Sequence, residues 1–201
     1  MDVKKIIAYL IICITIVFLV SCSSNGTDKK EKVNHVNVEA KTPCYTSVEE
    51  MEGESEIIVK VRRLDEAEPY IKKVNNIPTI TSTYSKVEVE EIYKNNGKIN
   101  DGDVITLLEN EVFDKDNNEE MHIAGYSMLK PGCEYLLFLV SSSYDGVDYY
   151  VALGVNYGTI SLDDDGRYKE KDEDGNSIMS QSVLDKYYKD LWQEAKEKYI
   201  K

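Results

Sequence analysis

Glu134-Tyr135-Leu136-Leu137-Phe138-Leu139-Val140 is the stretch on which the fold turns. It is short, apolar and set between Lys130-Pro131-Gly132 and a serine run, and those bounds predict a strand where a helix would need more length. Asp145-Gly146 is hairpin-turn chemistry and leads to a second strand, Tyr149 to Gly154. Toward the N-terminus, Asn100-Asp101-Gly102 precedes a strand over Val104–Leu108. Thr79 to Tyr93 alternates, with Tyr84, Val87, Val89 and Ile92 set between Lys and Glu. The step from Val89 to Ile92 breaks the period of two across Glu90-Glu91 and predicts a bulge. Glu56 to Arg62 is the first strand of the set, and a loop holding Pro69 and Pro78 follows it. Ser47-Val48-Glu49-Glu50 is a capping box that opens a short helix.

Beyond these five strands, Thr159–Leu162 and Arg167–Lys169 flank Asp163-Asp164-Asp165-Gly166 and predict an extra hairpin. A helix from about Ser182 to Tyr199 carries Leu184, Tyr187, Tyr188, Leu191, Trp192, Ala195 and Tyr199 on one stripe, placed for packing on a sheet. The fold class is therefore mainly β: a strongly bent antiparallel barrel of five strands with a C-terminal amphipathic α-helix.

The N-terminus speaks to location. Lys4 and Lys5 precede an apolar run from Ile6 to Val20, and Leu19-Val20-Ser21-Cys22 follows. Charged region, apolar region and small-residue cleavage site come in the order of a secretory signal. The tetrapeptide resembles the bacterial lipobox. That resemblance implies cleavage before Cys22, a diacylglycerol on its sulfur, and display on the extracytoplasmic face of a cell membrane. An uncleaved anchor is the competing reading, but the run is short for the roughly 20 residues a span needs. Two acyl chains hold stably where one would not. The expected organisation is a signal peptide over 1–21, a flexible hydrophilic tether over 22–43, a barrel over 44–175 and the helix over 176–201.

Charge and cysteines narrow the function classes. The chain carries a formal charge of −13, and removal of Lys4, Lys5 and Asp2 with the signal leaves the remainder slightly more acidic. Such a surface repels phosphate backbones, which excludes nucleic acid as the expected partner. Of the four cysteines, Cys13 leaves with the signal and Cys22 takes the lipid. Cys44 and Cys133 remain, either as a disulfide suited to an oxidising compartment or as two thiols.

Three segments resemble a family of exported bacterial domains with an OB-type barrel, related in shape to the netrin-like domain of tissue inhibitors of metalloproteinases. They are Ser47–Met51 running into Ser55–Val61; Tyr84–Lys94 with Gly102–Leu107; and Leu129–Gly132 into Glu134–Leu139, with Gly154 and Gly158 beyond. The resemblance spans about residues 45–162 and implies an OB-like barrel. It does not carry inhibition across, because the N-terminal cysteine that would chelate a protease zinc is the acylated Cys22.

Catalytic constellations are not found in the sequence. No G-x-S-x-G, H-E-x-x-H or P-loop pattern occurs, and Ser141, Ser142 and Ser143 have no nearby histidine. The acidic loops Asp163–Gly166 and Asp172–Gly175 depart from the EF-hand template, where Gln181 replaces the bidentate Glu, and are read as solvated turns. His35 falls in the tether, and His122, beside Glu119 and Glu120, is expected at the surface with no metal role. Tyrosine is enriched, fifteen against three phenylalanines, and Tyr144, Tyr149, Tyr150 and Tyr157 crowd one region. An apolar ring with a polar tip suits either a barrel rim or a ligand face. The expectation is a non-catalytic, cofactor-free binding module that meets an envelope protein or a wall component through those tyrosines. The alternative is an accessory of an envelope complex that docks through the Trp192 helix.

Overall fold

Residues 135–139 of the strand Glu134–Tyr144 are buried on both faces, and the two cores of the molecule lie on either side of them. The computed structural model describes residues 33–75, 77–163 and 181–200, with side chains in the last segment from Tyr188 onward. In chain order the elements are β1 (Asn34–Val38), α1 (Val48–Glu54), β2 (Ile57–Val74), β3 (Ile77–Lys94), β4 (Val104–Glu109), β5 (Glu111–Asp114), β6 (Glu119–Ile123), β7 (Glu134–Tyr144), β8 (Val147–Ala152), β9 (Thr159–Ser161) and α2 (Gln181–Tyr199). Strands dominate, as the sequence predicts, with one short helix near the start and one long helix at the end.

One sheet runs β2-β3-β4-β8-β7-β9, and β2 also pairs with β7, so the pairing of β2, β3, β4, β8 and β7 returns to its start. Within this circuit β4 and β8 are parallel and the other pairs antiparallel. A purely antiparallel barrel was expected; a closed circuit of five strands cannot alternate direction all the way round, so one pair must be parallel, and it is β4 with β8. The expected bulge is present, since Lys60 pairs with Glu91 but Val61 with Val89, leaving Glu90 extra.

Alternation sorts the apolar residues into two cores. Ile57, Val59, Val61, Val87, Val89, Leu107, Tyr135, Leu137 and Leu139 face the interior of the circuit. Ile58, Leu136 and Phe138 face outward, where Val48 and Met51 of α1 and Leu191 and Ala195 of α2 cover them. A strand buried on both faces has no polar side to show, which is why residues 135–140 read as a continuous apolar run. Ser47 caps α1 as the box predicts: its Oγ accepts from the Glu50 amide at 3.2 Å, while the Glu50 carboxylate accepts from Thr46 N at 2.9 Å.

Several expectations are corrected. The loop drawn around Pro69 and Pro78 is instead the outer arm of a long β2–β3 hairpin, in which Pro69 pairs with Thr83 and Lys73 with Pro78. Prolines are tolerated because this arm projects from the circuit and is mostly exposed. The second half of the expected tether is a strand: β1 pairs in parallel with β6, and β6 pairs antiparallel with β5, forming a separate three-stranded sheet. Its residues are mostly polar, so alternation gave no warning. Of the two states left open for Cys44 and Cys133, disulfide or thiols, the structure has two free thiols; Cys44 is exposed, whereas Cys133 packs against the interior core. Residues 1–32, which hold the signal, the lipobox and Cys22, lie outside the described residues, as do 164–180 with the second half of the extra hairpin, most of the acidic loops and the 175/176 boundary. Among the described residues no helix is long and apolar enough to cross a membrane.

Candidate functional site

The four tyrosines singled out by the sequence part company in the structure. Tyr157 is buried against Tyr45 and Tyr188, with ring centroids 5.5 and 4.2 Å away, so it serves the packing of α2 and not a ligand face. Tyr150 is partly buried and packs against the interior core. Tyr144 and Tyr149 do share a surface, and two further tyrosines join them from the β2–β3 hairpin. Tyr84 lies 5.3 Å from Tyr149 and 5.7 Å from Tyr70, and Tyr70 lies 6.2 Å from Tyr144, all measured between ring centroids.

Three of these rings, Tyr70, Tyr84 and Tyr144, border a groove of about 530 Å³, whose wall also includes Lys86, Thr106 and Val147; Tyr149 stands behind Tyr84, outside that wall. Three features of the chain build it. The long hairpin carries Tyr70 and Tyr84 across the outer face of β3 and β4. The tight Asp145-Gly146 turn, with Asp145 at φ 53° and Gly146 at φ 80°, holds Tyr144 and Val147 at its edge. Period-two alternation then turns Tyr84 and Lys86 outward while Ser85 and Val87 turn in.

Charged groups of both signs flank the rings, Lys86 as the cation and Glu66, Glu68 and Asp145 as the carboxylates. Lys72 Nζ donates to the Tyr144 hydroxyl at 2.8 Å and stands 5.4 Å from the centre of that ring. That hydrogen bond raises the Lys72 pKa above the ordinary lysine value, so Lys72 stays charged beside a groove whose own charged groups are mostly acidic. Burial raises the Tyr84 hydroxyl above the ordinary phenol range, with neighbouring Tyr149 adding to it, so the hydroxyl stays a neutral donor. Lys86 Nζ donates to Thr106 Oγ1 at 2.8 Å. Tyr149 and Tyr150 also edge a second, more polar depression of about 500 Å³ with Lys98 and Ser141.

From Tyr188 onward the helix stripe, the alternative docking face, packs inward. Tyr188, Leu191 and Ala195 are buried, and Trp192 Nε1 donates to the Tyr157 carbonyl at 3.3 Å. His122, expected at the surface, is buried on β6. It stacks with His35 of β1, and these two residues with Glu120 form the one group of potential metal ligands among the described residues. Asp163, the one acidic-loop residue of its run that is described, accepts from the Glu134 amide at 2.7 Å.

No family model, no curated protein and no solved structure matches this chain. Function is therefore argued from the groove and its chemistry.

Proposed function

We propose that this protein is a lipid-anchored, extracytoplasmic binding module whose OB-like barrel holds an envelope protein or a cell-wall component in its tyrosine groove, without catalysis. The observation that carries this is the convergence of Tyr70 and Tyr84 from the β2–β3 hairpin and Tyr144 from the β7–β8 turn onto one groove, with Tyr149 packed against Tyr84. An OB fold binds on the outer face of its second and third strands, between the loops joining strands one to two and four to five. In the β2-β3-β4-β7-β8 circuit those parts correspond to β3 and β4, the β2–β3 hairpin and the β7–β8 turn, which are the walls of this groove. Of the two ligand classes OB folds take, the net charge of −13 disfavours oligonucleotides and leaves oligosaccharides, with tyrosine faces to stack on sugars and Lys86, Glu66, Glu68 and Asp145 to hydrogen-bond them. Attachment rests on Cys22 and its lipobox.

The test uses the lipidated full chain and purified cell-wall sacculi or membrane extract. Substitution of Tyr84→Ser with Tyr144→Ser is expected to abolish co-sedimentation or capture without changing the thermal midpoint by more than a few degrees. Retained binding by a folded double variant would sink the groove assignment. Cys22→Ala is expected to move the protein from the membrane to the soluble fraction.

A further inference from the structure

The chain contains two histidines, and the fold brings them together. His35 lies on β1 and His122 on β6, 87 residues apart, with ring centroids 5.5 Å apart and planes 18° from parallel. Parallel register sets His35 opposite Glu120, and the period of two puts Glu120 and His122 on the same face of β6. Antiparallel register then sets Glu111 of β5 opposite His122. One face of this small sheet thus carries all four groups.

We propose that His35 Nδ1, His122 Nε2 and Glu120 Oε2 form a binding site for a divalent transition-metal ion of the zinc type. The distances are 3.2 Å between His35 Nδ1 and His122 Nε2, 3.0 Å between His35 Nδ1 and Glu120 Oε2, and 3.9 Å between His122 Nε2 and Glu120 Oε2. A tetrahedral ion with bonds of 2.0–2.1 Å needs ligand atoms about 3.3 Å apart, so these three already outline one face of the tetrahedron. Two imidazoles and one carboxylate form a donor set that zinc accepts, with water as the fourth ligand. Imidazole nitrogen also selects against calcium and magnesium, which take oxygen.

The ring of His122 is oriented for the task. Its Nδ1 lies 3.0 Å from a Glu111 carboxylate oxygen and 3.1 Å from the Tyr126 carbonyl. Both are acceptors, so the proton resides on Nδ1 and the Nε2 lone pair faces His35 and Glu120. A carboxylate behind a ligating histidine is the usual support of a metal-bound imidazole. Glu111 is itself fixed, because its carboxylate accepts from the Met128 amide at 3.1 Å. His35 and Glu120 are about 30% exposed, which leaves the ion a way in from solvent.

The site also has a mechanical consequence. β1 joins the domain through β6, and its side-chain links to that strand include His35 and Asn34, whose Nδ2 donates to Glu119 Oε1 at 3.2 Å. A bound ion would clamp β1, the segment nearest the N-terminal anchor, to the body of the domain. This inference is independent of the tyrosine groove and survives if no wall ligand is found.

The test is calorimetric titration of zinc into the purified full chain in detergent, with cobalt as a spectroscopic probe. The expected result is one ion per chain, a tetrahedral cobalt spectrum without a thiolate charge-transfer band, and slower amide exchange over residues 34–38 on loading. His35→Ala and Glu120→Gln, both partly exposed and tolerable to the fold, should each weaken binding more than about 100-fold, and Glu111→Gln by about 10–100-fold. Cys44→Ser should leave it unchanged. Undiminished affinity in His35→Ala, or a thiolate band lost in Cys44→Ser, would overturn the assignment and leave the histidine pair as packing.

Discussion

Arg63 and Glu109 meet inside the molecule: Arg63 Nε donates to Glu109 Oε1 at 3.3 Å, with the two residues 1% and 0% exposed. Each prolongs an inward-facing apolar row, Arg63 after Val59 and Val61, Glu109 after Leu107. Nothing about the pair is left to solvent. Arg63 also donates to the Glu66 carbonyl at 3.0 Å, and the Glu109 carboxylate accepts from Ser85 Oγ, from the Tyr126 hydroxyl at 3.1 Å and from the Leu129 amide at 2.7 Å.

Breaking this pair strands a buried charge and several donors. Glu109→Ala is expected to cost about 3–5 kcal/mol of stability. Arg63→Met should cost less when made on Glu109→Gln than on the parent, because no carboxylate is then left without its cation. A double-mutant cycle on urea midpoints reads the coupling. Additive losses would show that the pair contributes nothing beyond packing.

Gly158 marks a backbone crossing with no room for a side chain. Its carbonyl accepts from the Phe138 amide at 2.9 Å and its amide donates to the Leu153 carbonyl at 2.8 Å. A Cβ there would sit 2.6 Å from Leu153 N and 2.8 Å from the Phe138 carbonyl oxygen. Gly158→Ala is expected to destabilise by about 1–3 kcal/mol as β7 and the β8–β9 connection are forced apart. Gly53, in α1, has nothing within 4 Å of its hypothetical Cβ. Gly53→Ala should instead stabilise by about 0.5–1 kcal/mol. Opposite shifts in thermal midpoint are the check.

The parts of the fold that were legible in sequence are those where local and tertiary preferences agree. β7 announces itself because burial on both faces demands apolar residues throughout, and α1 because Ser47 and Glu50 cap it locally. β1, β5 and β6 are not legible in the sequence because strands of four or five residues, rich in Asn and Glu, offer only two apolar positions each, too few to set a period. His35 goes with them, since the pairing that brings it to His122 joins residues 87 apart. Tyr157 and Tyr149 look alike in sequence, since a tyrosine ring serves a core and a groove equally well. Only the position of α2 separates them.

An ion-pair network across β3, β2 and β7 gives a pH dependence of known sign. Lys60 lies 2.7 Å from Glu134 and 3.1 Å from Glu90, and Arg62 bridges the same two carboxylates. The Lys60 hydrogen bond, with Arg62 in support, holds the Glu134 carboxyl below its ordinary value. A carboxylate with a lowered folded pKa stabilises fully above its unfolded value of about 4.3 and loses that contribution as pH falls through the folded value. Glu134→Gln should therefore reduce stability at pH 7, by under about 1 kcal/mol for so exposed a pair. The gap from the parent should narrow below pH 4. A gap that is constant from pH 7 to pH 3 would mean that Glu134 acts through packing alone.

Leu191 and Tyr70 separate the two aromatic-rich surfaces by what their loss does. Leu191 is 4% exposed and lies with Ile58, Leu136 and Phe138 in the outer core, so Leu191→Ala removes buried methyl groups and leaves a cavity between α2 and the sheet. The expected cost is about 2–5 kcal/mol, read from urea unfolding. Tyr70 stands on the projecting hairpin arm, where truncation empties part of an open groove and solvent fills it. Tyr70→Ala should cost less than about 1 kcal/mol while weakening capture of wall or envelope material. If Leu191→Ala leaves stability untouched but abolishes capture, the roles are reversed, and the α2 stripe is the docking surface after all.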